Sequence, residues 1–258
     1  MEKNKKFFSK HVFELFTSLG YPPHEREGAG HLNIGIHYFK NKIFLFRNFI
    51  VDFLNHTGLQ DSLNSQSANE EFAKPLWKII NKTELEDEVI FRVKPFREVI
   101  NTVDQILTSV ANALKFDTVF QLLMNESVLN AREKLNAITL HSINQEQVEF
   151  FSTDRLEIRT IRPQKNFDSW LLVIEMFENR IKFLEKNYSH SLIPLNKPRK
   201  MVDGYESLGQ FVDYIEATGA KWSKFKSLLP EVWQNLNEEN FIRNTVPLTN
   251  NFCKRLFK

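Results

Sequence analysis

"EGAGHLNIGIHY", residues 27–38, and "RLEIRTIRP", residues 155–163, decide how this chain is read. The first is a glycine-punctuated turn that runs into an alternation. His31, Asn33, Gly35 and His37 share one face of it, and Leu32, Ile34, Ile36 and Tyr38 share the other. In the second, Arg155, Glu157 and Arg159 face one way and Leu156, Ile158 and Thr160 the other. Both spacings predict strands with one polar side. Placed next to each other in one sheet, polar faces together, they would bring His31 and Glu157 to about 4.5–5.5 Å at Cβ. Arg155 and Arg159 would then flank that pair at about 6–7 Å along the strand. An imidazole and a carboxylate so placed can share a divalent cation. Guanidinium groups match the oxygens of phosphates and carboxylates at two points. Such a face suits a ligand with several negative charges. Phosphoryl transfer from ATP to a carboxylate, followed by attack of an amine, asks for this kind of neutralisation and orientation and for little covalent work by the protein.

The rest of the 258 residues supplies a core for those strands. The charges nearly cancel, 34 basic against 32 acidic for a net +2, so no long-range field singles out nucleic acid as a partner. Lys3, Lys5 and Lys6 are followed too soon by a helical pattern to form a signal peptide. No apolar run reaches the length of a membrane span, and the expected location is the cytoplasm. The single Cys253 excludes an internal disulfide and a thiolate cluster, which leaves nitrogen and oxygen as ligands for any metal.

Phe8, Val12, Leu15, Phe16 and Leu19 predict a helix stopped by Gly20 and the prolines after it. Further helices are predicted over 43–56, ended by Gly58, and over 98–116, with the longest from Asp168 to Lys186. Residues 60–71 read as a polar loop, and 89–95 and 134–141 as strands. "SLIPLNKPRK", 191–200, reads as a linker with a basic tip at Lys197, Arg199 and Lys200. Short helices around Phe211, Tyr214, Trp222 and Trp233 follow it. Without regular strand–helix alternation, the order predicts an α+β protein with a mostly antiparallel sheet and helices packed on one face. The expected division is a domain over 1–190, then a linker and small helical segment over 191–258. The 24 phenylalanines fall at helix and strand spacings and read as core.

"GAGHLN", 28–33, and "RLEIR", 155–159, with "KLNAITLH" leading into the latter and a long helix after it, resemble the signature strands of the glutamine-synthetase-like carboxylate-amine ligases. That superfamily includes glutamate-cysteine ligases and amidoligases, and the resemblance covers roughly residues 25–187. It implies that His31 and Glu157 hold a magnesium or manganese ion at the phosphates of ATP. It implies nucleotide contact for Arg155 and contact with the acid substrate for Arg159. Gly28, Gly30 and Asn33 would line the approach of nucleotide and substrate. The implied reaction joins the carboxylate of a small molecule or peptide to an amine through an acyl-phosphate.

Family members also carry a Glu-x-Glu metal strand, for which residues before 28 offer no equivalent. A protein partner supplying that strand, or a homo-oligomer, is therefore part of the expectation. The alternative from another class is a non-catalytic binding subunit or scaffold that keeps the fold and works with a partner chain. A hydrolase using His31 and His37 on one metal would need a bend, because six residues of strand separate them by roughly 20 Å.

Overall fold

The structure is a computed structural model, and it describes residues 30–63, 96–109, 116–126, 138–141, 155–162, 164, 166–196 and 204–234. Strand β1 (Gly30–Gly35) leads through a 3-10 turn (Ile36–Phe39) into α1 (Ile43–Asn55) and α2 (Thr57–Leu63). Then come α3 (Phe96–Thr108), α4 (Phe116–Glu126), β2 (Ile138–His141), β3 (Arg155–Ile161) and α5 (Phe167–Tyr188). Helix α6 (Gly204–Glu216), a second 3-10 segment (Trp222–Leu228) and α7 (Glu231–Gln234) complete the order. The protein is thus helix-rich α+β with a small antiparallel sheet, in which β3 lies between β1 and β2.

Leu156 and Ile158 of β3 are fully buried, and Leu32 and Ile34 are their register partners across β1. Those four positions share the face turned toward the core. Helix α1, "IFLFRNFIVDFLN", is mostly apolar and buried on every side from Leu45 to Leu54, as befits a helix enclosed by others. Its phenylalanines organise the core. Phe46 packs on Phe39 and Phe116 with centroids 5.4 and 5.0 Å apart, and Phe49 and Phe53 each lie 6.3 Å from Phe177 of α5. The abundance of phenylalanine in these elements is core, as its spacing predicts.

Helix α5 is the longest described, 22 residues, and begins where the Asn166 side chain accepts the Ser169 amide at 2.8 Å. An N-cap oxygen satisfies an amide that the first turn would leave unpaired.

Several predicted boundaries move. β1 ends at Gly35, so His37 and Tyr38 belong to the turn and the single face of four polar positions is broken there. Gly58 does not end a helix; it lies inside α2, which begins after the break at His56. The reason is close packing. A Cβ at Gly58 would come 2.6 Å from the Ser207 Cα of α6, and the Gly58 amide donates to Gln210 Oε1 at 2.8 Å. Residues 60–63 of the predicted loop are helical, and the predicted helix over 98–116 is two helices, α3 and the start of α4.

Leu192, Ile193 and Leu195 of the predicted linker pack against the core. The Asn48 amide donates to the carbonyls of Tyr188 and Ser191 at 3.1 and 2.7 Å and its oxygen accepts the Ile193 amide at 3.0 Å. Residues of α6 and the second 3-10 segment, Phe211, Tyr214 and Phe225 among them, belong to the same core. The predicted helix over 8–19, the strand over 89–95, the lysine and arginine tip at 197–200 and Cys253 lie outside the described residues.

Candidate functional site

β1 and β3 pair antiparallel, and the polar faces of the two strands do coincide. The direct partner of Glu157 across the ladder is Asn33. His31 reaches it diagonally, past an irregularity in register between Gly30 and Leu32. Its Nδ1 lies 3.4 Å from Glu157 Oε1. On β3 itself, Arg159 Nη1 donates to the same Oε1 at 3.2 Å, and Arg155 Nε lies 3.6 Å from Oε2. Arg155 Nε also donates to Asn33 Oδ1 at 2.9 Å. Five predicted site residues, His31, Asn33, Arg155, Glu157 and Arg159, therefore form one cluster. Gly30 opens β1 opposite Ile161, and Gly28 lies outside the described residues.

The cluster grades from dry to wet. The Glu157 side chain is 6% exposed and Arg159 13%, while Arg155 and His31 are 35% and 38% exposed. Arg159 Nε is buried and, among the described residues, finds no hydrogen-bond acceptor. A guanidinium left with one donor unsatisfied is disposed to accept an oxyanion. Burial lowers the pKa of His31. The Glu157 charge opposes that shift, and Arg159 and Arg155 reinforce it. The shift favours the neutral ring, the form in which histidine ligates a metal.

The sequence resemblance implies a divalent cation held by His31 and Glu157. Two donors each about 2.1 Å from one cation and at right angles lie about 3 Å apart. The 3.4 Å between His31 Nδ1 and Glu157 Oε1 is close to that. No group of three or more His, Cys, Asp or Glu side chains converges among the described residues. Magnesium commonly takes one or two carboxylates and completes its shell with water and substrate phosphates. A nitrogen donor tilts the pair toward manganese. The pair fits such a cation provided the ligand supplies the remaining oxygens.

A second group of ionic residues carries no signal as a site in the sequence. Asp52 of α1 accepts from Arg180 of α5 at 2.5 and 2.8 Å, and Arg180 also donates to the Tyr214 carbonyl. Arg47 of α1 is held by both Asp104 oxygens at 2.6 and 2.7 Å and by the Ile193 carbonyl. The only hint was three polar residues, Arg47, Asn48 and Asp52, inside an apolar helical run.

No protein-family model, curated protein or solved structure matches the chain. No helix among the described residues is long and apolar enough to cross a membrane.

Proposed function

We propose that this chain has a glutamine-synthetase-like sheet and acts in the cytoplasm as an ATP- and divalent-metal-dependent ligase, joining a carboxylate to an amine. The observation that carries the reading is the single cluster on β1 and β3. A carboxylate sits between two guanidiniums, with an imidazole nitrogen 3.4 Å from it. The arginines and Asn33 would bind and orient two anions, the phosphate chain and the acid substrate. Arg159, whose Nε has no acceptor among the described residues, would contribute to holding the acid. His31 and Glu157 would hold the cation, which when bound neutralises phosphate charge. The acid's oxygen takes the γ-phosphoryl group from ATP, ADP leaves, and the amine displaces phosphate to form the amide. The residues position and neutralise rather than react.

With magnesium or manganese, ATP and a panel of amino acids, the protein should release ADP, and Glu157→Ala should abolish release. Equal silence of both proteins would end the catalytic reading. The second reading is the non-catalytic binding subunit. It is favoured by the fact that Glu157 is already engaged by two arginines and no third acidic or imidazole donor joins it among the described residues. Calorimetric titration separates the two. The ligase takes up ATP only with metal present, and the scaffold takes up neither.

A further inference from the structure

Among the described residues β1 has β3 along one side and no strand along the other. Leu32 through Gly35 line a cleft of about 500 Å³ between that open edge and α5. Its wall is apolar at Ile174 and Phe177, and its rim carries Glu178 and Lys182. The large hydrophobic side chains exposed among the described residues are Tyr38 at 41% and Ile174 at 39%, and both border this cleft. An open strand edge offers unpaired amides and carbonyls to another strand. Charges, prolines and coverings are the usual defences. The edge sequence "GHLNIG" contains neither Asp, Glu, Lys, Arg nor Pro.

We propose that β1 pairs antiparallel with β1 of a second copy of this chain, about a two-fold axis at Asn33, joining the described strands of both copies in one sheet and filling both clefts. Charge favours a second copy over a different protein. In a two-fold contact each patch meets itself, so it must be uncharged or carry both signs. β1 is uncharged, and the rim pairs an acid with a base one helical turn apart.

Register narrows the contact further. A slip of one residue would turn Leu32 and Ile34 to the polar face, so only pairings that keep even-numbered residues opposite one another survive. Of these, the one centred on Asn33 matches the strand most fully. It sets Leu32 against the partner's Ile34 and Asn33 against the partner's Asn33. It also sets Gly35 against the partner's His31. Gly35 is the ladder partner of Arg155, and the His37 ring occupies the place a Gly35 Cβ would take.

The test reads mass and cross-linking, not catalysis, so its failure is distinct from failure of the ligase reading. Sedimentation across a wide concentration range should show a dimer of the 30.5 kDa chain that Asn33→Lys, setting like charges opposite each other, converts to monomer with an unchanged circular dichroism spectrum. In a Cys253→Ser background, Asn33→Cys should oxidise to a linked dimer, because antiparallel neighbours fall within disulfide reach. Leu32→Cys, facing the partner's Ile34, should not. A monomer at all concentrations would overturn the proposal. So would a dimer insensitive to Asn33→Lys, or one in which Leu32→Cys links as readily as Asn33→Cys.

Discussion

Two places in this protein pair carboxylates with guanidiniums, and they are built to opposite ends. Between α1, α5 and α6, Asp52 receives both Arg180 donors at 2.5 and 2.8 Å. The third Arg180 contact goes to a backbone carbonyl, and the guanidinium lies 4.4 Å from the Tyr214 ring centroid. That pair is dry and nearly saturated. On the β1–β3 face, the described contacts of Glu157 with His31, Arg159 and Arg155 are looser, at 3.2 to 3.6 Å, and among the described residues Arg159 Nε has no acceptor. A closed pair resists any ligand, whereas a loose one with an orphaned donor can rearrange around an anion.

The largest expected effect separates the two. Asp52→Ala leaves Arg180 buried with no counter-charge and should cost about 3–5 kcal/mol in chemical denaturation. Replacing both partners, Asp52→Leu with Arg180→Met, should recover most of that loss. If the double variant is no better than the single, the pair itself stabilises more than apolar packing would. Gly58→Ala comes next. Its Cβ meets backbone rather than a movable side chain, so a loss of about 1–3 kcal/mol is expected at the α2–α6 contact.

Glu157→Gln tests the open side. It should lower stability less than Asp52→Ala, because Arg155 is partly exposed to water and Arg159 keeps some access to it. Added ATP with magnesium should raise the unfolding midpoint of the wild-type protein and not that of Glu157→Gln, by mass action on the folded state. A rise of equal size in both would move the cation away from Glu157.

The contrast also explains what the sequence could reveal. Alternation in "HLNIG" and "RLEIR" encodes a face directly, because every second residue of a strand points the same way, and the cluster was legible from that alone. The diagonal approach of His31 was not, since it depends on an irregularity near Gly30 that no residue type announces. The buried pair was hidden for a different reason. Asp52 and Arg180 are separated by 128 residues, and each sits in a run whose periodicity reports only that a helix is present. Gly58 misled because a glycine that permits helix contact looks, in sequence, like one that ends a helix.

The smallest expected effect concerns pH. Burial, with Arg159 and Arg155 adding to it against Glu157, sets the His31 pKa below its ordinary value near 6.5 in the folded state. The unfolded chain then binds the proton more readily. Stability tied to this group is present above about pH 6.5 and falls as the pH drops toward the folded value. His31→Gln should flatten that part of the stability–pH curve while leaving the curve above pH 7 unchanged. If His31→Gln leaves the acid slope intact, the slope belongs to another group. A ligand that occupies the cluster sharpens the same measurement. A cation on the imidazole nitrogen competes with the proton, so binding should weaken as pH falls through the His31 pKa. An anion held by Arg155 and Arg159 alone would favour the protonated ring and bind more tightly there.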